Sequence, residues 1–490
     1  GIPFVDYRLF KQSQEEGTDY YSNSFQYLRN LAYFGMATYS YKARYTINGT
    51  LRYEGSNMLG KSRQARWLPT WNVSASWNAH EENWWAPTFG KAWTYASLKA
   101  SYSLTADRGP ASNSLAVFQS FTPWRPSTSA NESAIILAAL ENSELTYEKK
   151  NELNIGVALG FVDNRINVEF DWYRRNNFDL IGYTQTMGVG GVTTKLANDA
   201  TMESTGCEFT ISTTNIKTKD FKWTTDWIFG WAENTITKLD SRSQVYSLVN
   251  GVGRTEGRPI GALYSIPFAG LTEEGLPTFF IDAEHTQVVG PGNYAAIYFQ
   301  EYENIDYLKY EGTIDPKITG SFGNTFSWKG LKLNVFFTYS FGNVLRLDNL
   351  CPVYSSDYSD LTASMKEMKN RWMVPGDENV TTIPSIPTVR QMREIDALNN
   401  AYSAYNYSTE RVAKGDFIRL KELSLAYDLP KKYFEGQKAV SSFGVKLSAT
   451  NLWLAYADKK LNGRDPEYYN SGGVSSPVPR QFTLTVKLGF

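Results

Sequence analysis

The chain has 490 residues, with 49 Lys plus Arg against 50 Asp plus Glu, two His and two Cys. A formal charge of -1 leaves no cationic surplus for a phosphate backbone, which argues against a nucleic-acid partner. The lack of any run of about 18 apolar residues excludes helical membrane spans. Cys207 and Cys351 cannot staple a chain of this length and say little about redox compartment. Tyr, Phe and Trp number 32, 27 and 14, an aromatic excess that points away from an ordinary soluble chain of several domains.

In chain order, segments of roughly ten residues alternate apolar with polar, the period of a strand with two unlike faces, while helical periodicity is nearly absent. About thirteen are found, near 31–40, 44–54, 67–79, 93–105, 151–161, 165–176, 205–216, 220–232, 315–328, 331–340, 416–429, 442–451 and 480–490. Each approaches the ~9–11 residues with which a tilted strand crosses a bilayer. In the second segment Tyr45, Ile47, Gly49, Leu51 and Tyr53 interleave with Arg44, Thr46, Asn48, Thr50, Arg52 and Glu54. Charges at that density face water. In the last, Phe482, Leu484, Val486, Leu488 and Phe490 alternate with Gln481, Thr483, Thr485, Lys487 and Gly489. Outward aromatics such as Tyr39, Tyr45, Trp172, Trp227 and Tyr427 fit an interfacial girdle better than a sugar-stacking stripe.

The connections alternate in length. Those after the first, fifth, seventh and ninth segments are tight, as at Val162-Asp163-Asn164 and Lys329-Gly330, with longer ones at 80–92 and 430–441. Between them fall long connections at 106–150, 177–204, 233–314, 341–415 and 452–479. The pattern is that of an all-β, transmembrane antiparallel β-barrel with periplasmic turns and long extracellular loops. If the last strand runs toward the periplasm, counting back puts the chain start outside, so Gly1 is expected at the end opposite Phe490. An odd number of strands with open edges cannot close in lipid. Residues 1–490 are therefore expected to be the C-terminal portion of a larger barrel, cleaved in a surface loop or belonging to a longer polypeptide.

Chemistry motifs are sparse. Gly55-Ser56-Asn57-Met58-Leu59-Gly60-Lys61-Ser62 matches the phosphate-binding loop pattern, but Arg66-Trp67-Leu68-Pro69 and a renewed period of two follow, with no helix expected. His80 and His285 sit in different connections, and His80-Glu81-Glu82 lacks a second histidine for zinc. No nucleophile elbow or Cys/His pair is present, so no catalytic residue, cofactor or metal is expected. Substrate contacts, if encoded here, belong on long loops where aromatics neighbour hydrogen-bonding groups: Trp124 with Arg125, and Tyr468 near Arg464 and Asp465.

The run Gly415-Asp416-Phe417-Ile418-Arg419-Leu420-Lys421-Glu422-Leu423, followed by Tyr427-Asp428-Leu429-Pro430, resembles a signature of the SusC/RagA family of outer-membrane TonB-dependent transporters of Bacteroidota. So do Asn451-Leu452, Asp465-Pro466-Glu467, the final Pro479-Arg480 leading to Phe490, Arg371-Trp372 with Pro375-Gly376-Asp377, Glu256-Gly257-Arg258-Pro259-Ile260-Gly261, and the Tyr39–Tyr45 and Leu51–Ser56 runs. The resemblance implies a 22-stranded barrel with a plugged lumen, this chain supplying about thirteen C-terminal strands. It also implies import of oligosaccharides or peptides, a SusD-like lipoprotein lid, and TonB acting through the N-terminal remainder of the barrel. Two rival readings are a surface adhesion or assembly protein on the same scaffold, and a soluble β-rich enzyme.

Overall fold

The computed structural model describes residues 27–490 apart from 91, 111–113, 122–133, 190, 351–365, 431–432, 434–439, 471–472, 475–476, 478 and 490. Each of the thirteen alternating segments is a strand: β1 (Asn30–Tyr41), β2 (Tyr45–Ser56), β3 (Trp67–Asn78), β4 (Trp93–Asp107), β5 (Glu148–Phe161), β6 (Ile166–Gln185), β7 (Thr194–Lys217), β8 (Phe221–Leu239), β9 (Ile318–Trp328), β10 (Leu331–Phe341), β11 (Phe417–Asp428), β12 (Ser442–Ala457) and β13 (Gln481–Gly489). They form one thirteen-stranded antiparallel sheet in chain order. Among the described residues, neither edge strand, β1 or β13, pairs with a further strand. Gly1 and Phe490, expected at opposite ends, lie outside the described residues.

Register decides which side chains share a face. Ile47 opposes Ala75 and Leu51 opposes Trp71, Val157 opposes Phe170, Phe170 opposes Phe209 and Leu447 opposes Leu484. One apolar face thus runs from edge to edge. On β13, Phe482, Leu484, Val486 and Leu488 are 68, 67, 52 and 53% exposed. An apolar surface this extensive is unstable in water and suits lipid. The opposite face carries Glu152, Asp171, Arg175, Glu208, Asp226, Glu422 and Lys446.

The tight turns reverse the chain with residues at positive φ: Lys42 and Ala43, then Val162, Asp163 and Asn164, then Lys329 and Gly330. At the other end, β6, β7 and β8 are 20, 24 and 19 residues long. They outrun the ~9–11 residues of a crossing. The connection expected at 177–204 is therefore mostly strand, its turn confined to 186–193. Thr, Ile, Tyr and Asn-rich stretches there keep the strand period without keeping a lipid-facing side, which hid them from the pattern.

A larger difference lies in the two longest connections. They carry a packed core of their own, built from Val245, Leu248 and Val249 in one short helix, Ile266, Leu276 and Phe279, and Leu398, Ala401, Tyr402 and Tyr405 in the helix Leu398–Asn406. Each large apolar side chain buried there contributes about 1.5–3 kcal/mol. The phenols are satisfied as they are buried: Tyr294 Oη donates to Pro277 O at 2.8 Å and Tyr402 Oη to Ser385 O at 2.7 Å. A second cluster, Leu345, Leu347, Ala413, Leu461 and Tyr469, draws the last long connection onto the same unit.

At the tight-turn end, Trp85, Phe89, Trp93 and Phe161 form an aromatic cluster with ring centroids 4.8–5.7 Å apart. Glu82 accepts from Tyr45 Oη at 2.5 Å and Trp77 Nε1 at 3.3 Å, and pairs with Arg44. The polar tips of girdle aromatics are thereby tied to a turn outside the apolar belt. Hydrogen bonding from Tyr45, chiefly, holds the Glu82 carboxyl below the usual carboxylate range.

Candidate functional site

The rim where the long connections leave the sheet concentrates the charged side chains. On β11 the run Ile418-Arg419-Leu420-Lys421-Glu422-Leu423 breaks strict alternation. The register explains it: Arg419 opposes Thr338, Leu420 opposes Phe337, and Glu422 opposes Phe336, leaving Lys421 as the extra residue of a bulge. The bulge keeps Leu420 and Leu423 on the apolar face and turns Arg419 to the polar one. There the Arg419 guanidinium, 5% exposed, hydrogen-bonds the Asp465 carboxylate. Its Nε lies 2.9 Å from Glu467 Oε2, close enough for ion pairing though off the N–H direction, and Lys421 Nζ is 3.1 Å from Glu467 Oε1. Asp465 also accepts from the Glu467 amide at 3.1 Å, which shapes the turn Pro466–Tyr468.

The neighbouring Arg464 pairs with Asp348 at 2.9 Å and with Tyr469 Oη at 3.0 Å. Arg464, Asp465 and Tyr468 are thus brought together in one turn, with the charges of the first two spent on Asp348 and Arg419; Tyr468 beside them is half-buried. Trp124 and Arg125 lie outside the described residues.

Deeper in the rim, Arg346 is 4% exposed and joins three segments by donating to Ser408 O at 2.9 Å, Val249 O at 3.2 Å and Tyr264 O at 2.5 Å. Burial pushes its pKa down to about 10. Arg411, equally buried, pairs with Glu367 at 2.6 Å and donates to Asp348 O. Burial likewise pushes the Tyr307 phenol up to about 12. These residues carried no sequence motif. One signal existed: Leu398, Ala401, Tyr402 and Tyr405 repeat at i, i+3, i+4 and i+7, the period of a helix with a buried face.

Several quoted motifs now have structural roles. Asp416 Oδ1 accepts from the Gly342 amide at 2.7 Å. Asp377 accepts from the Met373 and Val374 amides at 2.9 and 3.0 Å, while Trp372 donates to Glu378 at 3.0 Å. The Gly55–Ser62 loop is followed by a single helical turn, Arg63–Arg66, capped by Ser62. That turn was not expected, yet the loop holds no anion cradle: Leu59 is fully buried, the Gly60 amide donates to Leu145 O at 2.8 Å, and the Asn57 amide to Arg29 O. His80 Nδ1 lies 2.9 Å from Ala96 O at the tight-turn end, whereas His285 stacks on Phe280 within the loop unit. Among the described residues no three His, Cys, Asp or Glu converge as metal ligands, and no helix is long and apolar enough to cross a membrane.

A sheet of this kind, apolar on one face and charged on the other with its long connections gathered at one end, defines the wall of an outer-membrane β-barrel. No protein-family model matches the chain. It is 26% identical over 493 residues to TonB-dependent receptor P3 of Formosa agariphila, covering 93% of this chain and 45% of that protein. It is 28% identical over 214 residues to TonB-dependent receptor SusC of Bacteroides thetaiotaomicron, covering 43% of this chain and 21% of that protein. The RagAB peptide transporter superposes on 94% of the chain and 47% of its own with a TM-score of 0.73 at 22% identity, a likeness of fold. In sequence the chain is similar to SusC-like TonB-dependent receptors and in fold to an outer-membrane transporter barrel, and it spans about half the length of the first curated relatives it matches.

Proposed function

We propose that the chain forms barrel wall and extracellular rim of an active importer that takes up oligosaccharides or peptides. The observation that carries this is the two-faced thirteen-stranded sheet whose long connections fold into a packed unit at one end. A wall of thirteen strands encloses a lumen only with more strands, so the reading includes about nine from the rest of the polypeptide, together with a plug, in the 22-strand size class. TonB acts on that remainder. The packed rim, held by Arg346, Arg411 and the Arg419 cluster, supplies a rigid seat for a SusD-like lipoprotein lid, with Tyr468 a proposed substrate contact on it; Trp124 and Arg125 are proposed as further substrate contacts. Arg464 and Asp465 serve there by fixing the turn that presents Tyr468. The protein performs no covalent chemistry in this reading.

The test is uptake of labelled oligosaccharide and peptide pools by cells with and without the gene, each with TonB intact or removed. Import is expected to need both. Uptake that survives loss of the gene for every pool, or is indifferent to TonB, contradicts the proposal and leaves adhesion or assembly as the role of the scaffold.

A further inference from the structure

Where the raised β6–β7 hairpin meets the segment 241–254 there is a cavity of about 520 Å³. We propose that it is a binding site for a zwitterionic ligand, one that presents an ammonium and a carboxylate close together as a short peptide or free amino acid does. Its wall holds one buried acid, Asp199, and two arginines, Arg254 and the exposed Arg242. Asp199 is 2% exposed; its Oδ2 accepts from Ser241 Oγ at 2.8 Å, while its Oδ1 has no hydrogen-bond partner. The Arg254 backbone is fixed on both sides by Ser243, whose Oγ accepts from its amide at 2.8 Å and donates to its carbonyl at 3.0 Å. That bracing sets the guanidinium at the wall, where it forms no ion pair among the described residues.

Gly182 on β6 lies between the two charges. A Cβ there would sit 3.1 Å from Asp199 Oδ2 and 3.3 Å from Arg254 Nη1, so glycine keeps the space between the two groups open. A carboxylate oxygen buried without a donor is costly, and a ligand that supplies the donor recovers that cost. A bare cation is repelled by Arg242 and Arg254, and a bare anion leaves Asp199 Oδ1 without a donor. A neutral sugar leaves both charges uncompensated. A zwitterion satisfies both with charge-assisted hydrogen bonds, and Tyr183, 72% exposed on the same hairpin, offers its ring to an apolar side chain. The biological meaning rests on the importer reading, whereas the binding test does not.

The experiment is calorimetric titration of the detergent-purified full-length protein with alanylalanine, its N-acetylated and C-amidated forms, and maltose. Saturable binding of the free dipeptide is expected, with at least about tenfold weaker binding for either blocked form, and the same loss in Asp199→Asn. Equal binding of free and blocked dipeptides, preference for maltose, or no binding by any probe overturns the site. If Asp199→Asn fails to assemble, the wild-type comparison of free and blocked dipeptides decides alone. TonB-dependent uptake is measured separately, so intact uptake without dipeptide binding removes this site and leaves the importer reading standing.

Discussion

Arg419 Nε lies 2.9 Å from Glu467 Oε2, joining two runs that stand apart in the chain, Gly415–Leu423 on a strand and Asp465–Glu467 in a long connection. With the guanidinium 5% exposed and Asp465 13% exposed, removing the cation strands the Asp465 carboxylate and leaves Glu467 with Lys421 alone. Arg419→Met is expected to destabilise the 458–470 turn by about 3 kcal/mol, the usual cost of breaking a buried pair from one side. Limited proteolysis reads this as new cleavage within that turn. Lys421→Met, losing a more exposed pair, is expected to cost about 1 kcal/mol or less. Equal protease resistance of wild type and Arg419→Met would show that the cluster does not hold the turn.

Adjacent positions on β13 separate the two faces of the sheet. Leu484 opposes Leu447 on the apolar face, while Thr483 opposes Ser448 on the polar one. Leu484→Arg is expected to cost about 2–4 kcal/mol if it sits near the bilayer midplane, whereas Thr483→Arg costs little. Heat-modifiable migration of the assembled protein, measured for both variants, should be impaired in the first alone.

Alkaline pH should open the rim before the sheet. The Tyr307 phenol has its pKa raised from 10.0 to about 12 by burial. Between these values the unfolded chain releases a proton that the folded one keeps. Stability is therefore complete below about pH 10 and falls as pH rises toward 12, by about 3 kcal/mol for this group. Tyr294, also buried, shifts in the same direction. Tyrosinate absorbance with near-ultraviolet dichroism should show a cooperative loss in that window. Tyr307→Phe should move its onset to higher pH, and an unchanged onset would remove Tyr307 from the account.

Gly275 has φ +75°, and a Cβ there would stand 2.4 Å from the Trp372 ring. Gly275→Ala combines backbone strain of about 1 kcal/mol with overpacking of about 1–3 kcal/mol. The indole, donating to Glu378, should be displaced and its fluorescence shifted. An unaltered spectrum and melting profile would contradict the packing described.

The thirteen strands were legible because lipid on one side and water on the other impose a period of two that few other environments sustain. The bulge at Lys421 could have been noticed as two successive polar residues between Leu420 and Leu423. The rim unit was not legible as a whole, since its core assembles from short pieces of two connections whose apolar residues meet only in space. Leu398, Ala401, Tyr402 and Tyr405 did carry a helical period, brief enough to be lost among strands. Arg464 and Asp465 were read as candidate substrate contacts, and sequence alone could not reveal that Asp348 and Arg419 engage their charges.

The proposed role of this chain, wall and rim of an outer-membrane importer, is tested most directly by co-purification. Extracting the native protein from outer membranes in detergent and taking intact masses of everything that accompanies it should yield a polypeptide about twice the length of this chain, or a companion carrying plug and early strands, with a surface lipoprotein. Recovery of the chain as a monodisperse soluble protein without detergent, and without those companions, would contradict it.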